Sequence, residues 1–249
     1  MRTLLRLAYD GAPFCGWQIQ PKHRTVQGDL DDALSTLLRQ PIQTMGAGRT
    51  DTGVHAKEMF VHFDCIPELG KGIQDLDQLV HRLNRFLDPA IHIYEAREVQ
   101  RNWHARFDAT ARSYEYILCA SGSPFWRNNA WMAERLPDLA KMNEAAKLLL
   151  TETDFASFCK AGSDNKTTIC AVTRAEWVME AEVVTFHITA DRFLRNMVRA
   201  IVGSLYEVGN GNWSVAEFEA RFAQKNRGAM GTSAPAQGLY LTQVTYNNL

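Results

Sequence analysis

The sequence has few cysteines, and none of them are closely spaced. The five cysteines are scattered, odd in number and never in a C-x-x-C pair, as expected for reduced thiols in a reducing compartment. The seven histidines are also dispersed, and neither H-E-x-x-H nor another metal-ligand spacing occurs. These absences predict a protein without a disulfide framework and without a zinc site.

Long hydrophobic runs are missing as well. No apolar run approaches the roughly 20 residues that are needed to span a bilayer. Arginines interrupt the first six residues at Arg2 and Arg6, which is too early for a secretory signal sequence. We therefore expect a cytoplasmic protein with no membrane segment.

Neither sign of charge is in excess. With 27 basic and 28 acidic residues the formal net charge is −1, which argues against a protein that coats nucleic acid non-specifically. Any affinity for RNA must come from basic side chains gathered on one face. The 249 residues are 46% hydrophobic and contain no low-complexity linker, so we expect one compact body with a substantial core.

A glycine-rich loop is the most distinctive stretch that is present. Residues 46–56 read GAGRTDTGVHA, with three glycines around Arg49 and Asp51. Glycine permits positive φ and close backbone approach, so the spacing predicts a tight loop that presents both charged side chains. In a partly buried cleft, Arg49 would favour the charged form of Asp51 and keep it available as a nucleophile. Alternatively, Asp51 caps a turn at a strand end and Arg49 is solvated; the loop has neither P-loop nor dinucleotide-binding spacing.

Periodic apolar positions predict the secondary structure. Predicted helices cover residues 25–40, with Thr25 as N-cap, 73–87, 136–150, 193–208 and 214–224, with Ser214 as N-cap. Predicted strands cover residues 3–9, 59–65, 91–99, 111–119, 171–179 and 183–190, and a last strand opens at Leu239. Strand 59–65 alternates as a half-buried strand does. The first half has the order of a ferredoxin-like unit, and the second half repeats it with insertions.

Aromatic and basic side chains gather in the second half. The strand 111–119 places Arg112, Tyr114 and Tyr116 on one face, where they can stack on unpaired bases and contact phosphates, or form an ordinary aromatic sheet face. The helix 193–208 is predicted to carry Phe193 on an apolar stripe and three arginines on another: Arg192, Arg195 and Arg199. The loop 160–166 is polar, and its lysines either touch phosphate or are simply solvated.

Several motifs, in order, resemble those of one enzyme family. They are YDG at 9–11, FCGWQIQ at 14–20, GRTD at 48–51 with GVHA at 53–56, HARF at 104–107, ATARSYEY at 109–116, TDFASF at 153–158, FLRNMVRAIVG at 193–203 and GLYL at 238–241. Together they resemble the tRNA pseudouridine synthases that modify the anticodon stem-loop, and such agreement is more specific than any one motif. Thr52 departs from the pattern, since relatives commonly have alanine there.

The resemblance implies an α+β protein with two ferredoxin-like lobes that form a pseudouridine synthase fold. The central sheet is expected to be mixed and largely antiparallel, with a catalytic cleft between the lobes. We expect an amino-terminal lobe at residues 1–104 with the Asp51 loop. A second lobe at residues 105–249 would contain the Tyr114 strand and the Arg199 helix.

The resemblance also implies a reaction, the isomerisation of uridine to pseudouridine at tRNA positions 38, 39 and 40. It implies that Asp51 is the nucleophile, that Arg49 fills the space left by the flipped base, and that Arg199 orients the aspartate. Tyr114 and Leu239 would bind the substrate, with Tyr114 against the uracil. The family needs no metal or organic cofactor.

The remaining implications concern partners. The tRNA would be contacted by His104, Arg106, Phe107 and Lys166. A homodimer is implied, in which one subunit docks the body of the tRNA and the other supplies the active site. No membrane partner is expected.

Two other functions remain open from the residues alone. An N-glycosidase would use Asp51 but let water intercept the broken bond, which would release free uracil. An RNA-binding module or chaperone would use the Arg106, Tyr114 and Arg199 surface without chemistry. The intact GRTD loop at 48–51 favours chemistry over binding alone.

Overall fold

Nine β-strands and five α-helices lie within the residues that the structure describes. It is a computed structural model, and it describes residues 1–65, 72–120, 122–160, 162 and 166–247. The strands are β1 (Arg2–Tyr9), β2 (Met45–Gly46), β3 (His55–Asp64), β4 (Ile91–Val99), β5 (Ala109–Cys119), β6 (Trp131–Met132), β7 (Val172–Glu180), β8 (Val183–Ala190) and β9 (Leu239–Tyr246). The helices are α1 (Val26–Leu38), α2 (Leu76–Phe86), α3 (Leu139–Lys147), α4 (Met197–Gly209) and α5 (Val215–Ala223).

The chain divides into two compact units, and unit 1 comprises Met1–Thr110 and Leu241–Leu249. Strand β1 pairs antiparallel with β3 and with β4, and β2 pairs antiparallel with β3, which gives the order β4-β1-β3-β2. With α1 and α2 as the connections, this is the ferredoxin-like order that the sequence predicts. Apolar side chains from β1, α1 and β3, such as Leu5, Leu30 and Val61, are fully buried in its core.

Unit 2 comprises Ala111–Tyr240. Strand β8 pairs antiparallel with β5 and β7, and β6 pairs in parallel with β5. The predicted mixed, largely antiparallel strand pairing is therefore confirmed. With β6 as an insertion, the order β5, α3, β7, β8, α4 repeats the order β1, α1, β2, β3, α2 of unit 1. A cluster of buried aromatic rings joins α5 to a short 3₁₀ turn at Ala156–Phe158, with the rings of Phe158 and Phe222 4.9 Å apart.

Capping residues set where the helices begin. Thr25 Oγ1 accepts a hydrogen bond from the Gly28 N–H, which confirms the predicted N-cap of α1. At α5, Ser214 and Glu217 bond reciprocally in a capping box, which confirms Ser214. Helix α1 ends before the predicted residue 40 because Arg39 adopts a left-handed conformation with φ +55°.

Two further helices are shorter than the apolar pattern predicts. Helices α2 and α3 begin at Leu76 and Leu139 because Asp75 and Asp138 cap them; both carboxylates accept backbone N–H bonds at the first turn. The end of the third predicted helix becomes a 3₁₀ turn at Leu148–Leu150.

Helix α4 begins at Met197 rather than at residue 193. Asn196 has φ +65°, a left-handed conformation that separates the preceding residues from the helix. The prediction that Phe193 lies on the apolar stripe of this helix is therefore wrong. The predicted arginine face is also wrong, because only Arg199 of the set Arg192, Arg195 and Arg199 lies on α4.

From Met59 to Phe63 strand β3 is buried on both faces, so the prediction of a half-buried strand is wrong there. Phe60 and His62, predicted to face outward, are 8% and 6% exposed. Tyr246 covers Phe60 at a ring distance of 5.3 Å, and Trp103 covers His62 at 5.9 Å. Both covering residues are distant in sequence, so the strand's own pattern carries no sign of them.

The helices of the described chain are short. The longest, α1 and α4, have 13 residues each. Among the described residues, no helix has the length and apolar character that a membrane crossing requires.

Candidate active site

The glycine-rich loop connects two neighbouring strands of unit 1. It leaves β2 at Gly46 and enters β3 at His55, and the two strands pair with each other. The Val54 N–H donates to the Asp51 carbonyl at 3.1 Å and closes a turn at the tip of the loop. Asp51 is half-buried and Arg49 is exposed. The loop therefore presents an acid and a guanidinium from a short, tethered segment.

Thr50, the residue before Asp51, is held by two aromatic residues. The Tyr9 hydroxyl lies 2.8 Å from Thr50 Oγ1, and the Trp17 N–H donates to the Thr50 carbonyl at 3.2 Å. Trp17 is 2% exposed, so this contact is anchored in the core. Gly16 has φ +83°, and a Cβ there would lie 2.6 Å from the Thr50 carbonyl oxygen, which only glycine avoids. These contacts fix the backbone immediately before the carboxylate.

Arg49 extends from the same loop toward an amide side chain. Its Nε donates to Gln18 Oε1 at 3.0 Å. Gln18 belongs to the FCGWQIQ segment, so this segment contacts the loop both through the Trp17 backbone and through a side chain.

The HARF motif forms a tight turn with two exposed side chains. His104 Nδ1 accepts the backbone N–H bonds of Arg106 and Phe107 at 3.1 and 3.3 Å, and the His104 N–H donates to Asp108 Oδ2 at 2.8 Å. Arg106 is exposed and Phe107 is 74% exposed. A cation and an aromatic ring on one rigid turn are suited to contact a phosphate and to stack on an unpaired base.

A buried imidazole supports this turn. His62 Nδ1 accepts the Ala105 N–H at 3.2 Å, and the His62 and His104 rings lie 4.7 Å apart. Burial, followed by the nearby Arg2 cation, lowers the pKa of His62 to about 4. Burial and Arg2 also lower the pKa of His104. Both imidazoles are therefore neutral at pH 7, with Nδ1 as the acceptor.

In unit 2, Tyr114 lies on β5 with a half-buried side chain. Its ring meets the ring of Phe193 edge to face, with centroids 5.1 Å apart. Tyr116, two residues along the same face, is fully buried and donates its hydroxyl to the Pro235 carbonyl at 2.8 Å. Burial raises the pKa of Tyr116 well above its usual range. Of the two tyrosines, only Tyr114 keeps an accessible ring.

Arg199 is held against the segment that precedes β9. Its Nε donates to the Ala234 carbonyl at 2.7 Å, and the Ala234 N–H donates to the Arg199 carbonyl at 2.9 Å. One turn along α4, a Cβ on Gly203 would lie 1.8 Å from the Thr232 carbonyl oxygen, so glycine is required for this close approach. The reciprocal bonds fix the direction in which the Arg199 side chain leaves α4.

The last two predicted contact residues are in different surroundings. Leu239 is 6% exposed at the start of β9, after a 3₁₀ turn at Ala236–Gly238. Lys166 is exposed. The loop 160–166 lies largely outside the described residues, at 161 and 163–165. In the part of the chain that is described, no three His, Cys, Asp or Glu side chains are grouped as metal ligands.

Comparison with known proteins identifies the family. A family profile described as tRNA pseudouridine synthase matches residues 7–108 and 145–247. The chain belongs to the tRNA pseudouridine synthase family. Enzymes of this family are isomerases, and the synthase carries both the GRTD loop and the FLRNMVRAIVG segment within the matched residues.

Individual relatives match over nearly the full length of the synthase. It is 47% identical to tRNA pseudouridine synthase A of Bacteroides thetaiotaomicron over 248 residues, 98% of this chain and 90% of that protein. It is 44% identical to tRNA pseudouridine synthase A of Porphyromonas gingivalis, covering 98% of this chain and 97% of that one. With tRNA pseudouridine synthase A of Bacillus licheniformis the identity is 37% over all of both chains.

Sequence reasoning did not assign roles to the residues that support the loop of the synthase. Tyr9, Trp17 and Gln18 were visible only as parts of motifs. Gln27 and Asp31 are buried polar residues one turn apart on α1, and they interrupt an otherwise apolar helix face. These two polar residues on a buried helix face were the one sign in the sequence of hydrogen bonds between α1 and the segment next to the loop.

Proposed function

We propose that this synthase isomerises uridine to pseudouridine at positions 38, 39 and 40 of the tRNA anticodon stem-loop, in the cytoplasm. The observation that carries the proposal is the GRTD loop, whose Asp51 follows a threonine held by Tyr9 and Trp17. Full-length relatives named tRNA pseudouridine synthase A support tRNA as the substrate.

Asp51 is proposed as the nucleophile. The isomerisation breaks the bond between C1′ and N1 and forms one between C1′ and C5; C5 loses a proton and N1 gains one, so no atoms are gained or lost. A carboxylate held at a fixed position can form and release a covalent bond to the nucleoside while the base turns. The contacts of Tyr9 and Trp17 with Thr50 hold the backbone next to Asp51 and so supply that fixed position.

Arg49 is proposed to hold the target base out of the RNA stack. Flipping a nucleotide costs a few kcal/mol of lost stacking, which protein contacts must offset. An exposed guanidinium beside the nucleophile can occupy the space that the base leaves and can donate to neighbouring bases and phosphates.

Three residues of unit 2 are proposed to complete the site. The half-buried ring of Tyr114 would lie against the flipped uracil, and Leu239 would supply an apolar contact. Arg199 would orient the Asp51 carboxylate, a role that its rigid bonding to Ala234 supports.

The contact surface for tRNA is proposed to include the HARF turn and Lys166. Arg106 and Lys166 are exposed cations, Phe107 is an exposed ring, and His104 shapes the turn. We also propose a homodimer, in which one subunit docks the tRNA body and the other supplies the active site. The family resemblance supports this arrangement.

The decisive experiment maps pseudouridine by position after incubation with unmodified tRNA. We expect the wild type to modify positions 38 to 40, and Asp51→Asn to lose turnover by several orders of magnitude while it still binds the tRNA. Asp32→Asn, at an exposed position of α1, is the matched control and should retain the wild-type rate.

Other outcomes point to other functions. An Asp51→Asn variant as active as the wild type would exclude Asp51 as the nucleophile. Free uracil in place of pseudouridine would indicate an N-glycosidase. Binding without any product from the wild type would indicate an RNA-binding module.

A further inference from the structure

Two glutamine side chains connect Arg49 to the first turn of helix α1. Gln18 Oε1 accepts from Arg49 Nε at 3.0 Å, and Gln18 Nε2 donates to Gln27 Oε1 at 2.9 Å. Gln27 Oε1 also accepts the Ile19 N–H at 3.1 Å, and Gln27 Nε2 donates to the Thr44 carbonyl at 2.7 Å. An unbroken chain of hydrogen bonds therefore runs from the exposed guanidinium to the backbone behind the loop.

Backbone groups determine how the two glutamine amides in this series of hydrogen bonds are oriented. The Ile19 N–H can only donate and the Thr44 carbonyl can only accept, so the amide orientation of Gln27 is fixed. Gln27 then presents its oxygen to Gln18, so Gln18 must donate from its NH₂ group. The Gln18 oxygen is left facing Arg49, whose guanidinium can only donate. Both glutamine amides are therefore oriented so that an acceptor oxygen faces the Arg49 guanidinium.

The end of this hydrogen-bond series at Gln27 is anchored in the core. Gln27 is 8% exposed, and Asp31, one turn further along α1, is also 8% exposed. Asp31 Oδ1 accepts from the Thr44 N–H at 2.9 Å and from the Thr44 hydroxyl at 2.6 Å. Buried amides and carboxylates are costly unless they are bonded, so the anchor has few alternative arrangements.

We propose that Gln18 is a positioning residue for the base-flipping arginine, and that Gln27 orients Gln18. This inference rests on the proposed function of Arg49. A hydrogen bond at Nε fixes the plane of the guanidinium and uses only one of its N–H donors. Arg49 is thereby prepared to enter the RNA stack with less loss of side-chain entropy than a free arginine would suffer.

The test follows base flipping and turnover in variants of Gln18. The substrate is an unmodified anticodon stem-loop RNA with 2-aminopurine beside the target uridine, and each variant is compared in single-turnover reactions. Gln18→Met removes the acceptor and should slow flipping about fivefold, the effect of one net hydrogen bond. Gln18→Glu keeps an acceptor for Arg49 but turns an oxygen toward Gln27 Oε1, so it should flip faster than Gln18→Met and more slowly than the wild type. Gln100→Met, at an exposed position of unit 1, is the control and should match the wild type.

A double-mutant cycle separates positioning from a general effect on folding. In an Arg49→Met background, Gln18→Met should cause no further loss, because the group that it positions is gone. Losses that multiply in the double variant would overturn the proposal, as would equal flipping rates for Gln18→Met and the wild type.

A readout in the free protein keeps this inference separate from the proposed function. The Arg49 Nε–H, assigned by NMR against Arg49→Lys, should exchange with solvent more slowly in the wild type than in Gln18→Met. Equal exchange rates would overturn the positioning role alone. A wild type that forms no pseudouridine would overturn the proposed function itself.

Discussion

At the scale of single residues, two neutral imidazoles hold the HARF turn together. His62 and His104 both accept backbone N–H bonds through Nδ1, which a protonated ring could not do. The charged and titratable groups that act on His62 are Arg2 and His104, which lower its pKa, and Asp64 and Asp108, which raise it. Because burial has the largest effect, the neutral form prevails.

This arrangement predicts a loss of stability in mild acid. The pKa of His62 is about 4 in the folded protein against an ordinary 6.5, so the unfolded chain takes up a proton first as the pH falls through that window. Between pH 7.5 and pH 5, this one group should reduce the free energy of unfolding by about 2 kcal/mol. His62→Gln, which keeps an acceptor, should show a correspondingly smaller loss in urea unfolding.

His81→Gln is the control for this measurement. His81 is exposed on α2, so the same substitution there removes no buried imidazole. A His62→Gln variant with the same acid sensitivity as the wild type would contradict the assignment to His62.

The individual site residues differ in how far sequence could predict them. Asp51 and Arg49 are recognisable because their glycine spacing and the surrounding motif are local. The partners of these residues are not local: Thr50 bonds to Tyr9, and Arg49 bonds to Gln18. Contacts between segments that are 30 or more residues apart leave no periodicity in either segment, so they became visible only in the folded chain.

At the scale of elements, α4 and the segment before β9 form one support for Arg199. Their backbones meet at Gly203 and Thr232, and the Arg199 and Ala234 bonds depend on that approach. The packing is so close that a single methyl group would separate the two segments.

Gly203→Ala is therefore expected to destabilise the protein and to reduce turnover. Its Cβ would lie 1.8 Å from the Thr232 carbonyl oxygen, and overpacking of this kind costs about 1–3 kcal/mol. The gain in helix propensity from alanine, about 1 kcal/mol, offsets only part of this. Urea unfolding and pseudouridine formation should both report the change.

Gly228→Ala provides the comparison. The nearest atom that a Cβ there would meet is Asn226 Oδ1 at 3.3 Å, which accepts the Gly228 N–H at 2.9 Å and needs to shift by only a few tenths of an ångström. We expect wild-type stability for this variant. If Gly203→Ala behaved in the same way, the proposed support for Arg199 would be wrong.

Element boundaries show why the sequence predicts some helix starts and not others. Thr25 and Ser214 were predictable because a cap is a short-range interaction between a side chain and its own first turn. The start of α4 was not, because Phe193 and Leu194 continue the apolar period while Asn196 turns the chain. The spacing of apolar residues shows which positions are buried, not whether the backbone is helical. Over a single helical turn, a turn that packs against the core gives the same spacing as a helix.

At the scale of the whole molecule, the small net charge limits how RNA can be bound. With a formal charge of −1, the protein as a whole does not attract a polyanion, so affinity for RNA has to come from local cations, for which Arg106 and Lys166 are the proposed contacts.

This predicts distinct salt responses for the two exposed side chains of the HARF turn. Arg106→Gln should weaken binding of the anticodon stem-loop and reduce the slope of log K against log salt by about 0.7–0.9, the contribution of one phosphate contact. Phe107→Ala should weaken binding without changing the slope, because stacking releases no counterion. Lys141→Gln, whose cation already faces Asp138 at 3.7 Å, should change neither.

Sedimentation in the same titrations tests the homodimer. The free synthase should sediment with twice its 28.1 kDa chain mass. A fully active monomer would contradict docking by one subunit and catalysis by the other. An unchanged slope for Arg106→Gln would contradict the phosphate contact.

The end of the chain belongs to the unit in which the chain begins. In unit 1, the Tyr246 hydroxyl donates to the Ala105 carbonyl at 2.6 Å beside the HARF turn, and the Val244 N–H donates to Glu58 at 3.1 Å. Tyr246 lies 141 residues after Ala105 and therefore leaves the ribosome long after the turn that it braces. The first unit to be synthesised is thus the last to be completed, and a nascent or carboxy-terminally clipped chain would lack the strand that braces its proposed RNA-binding turn.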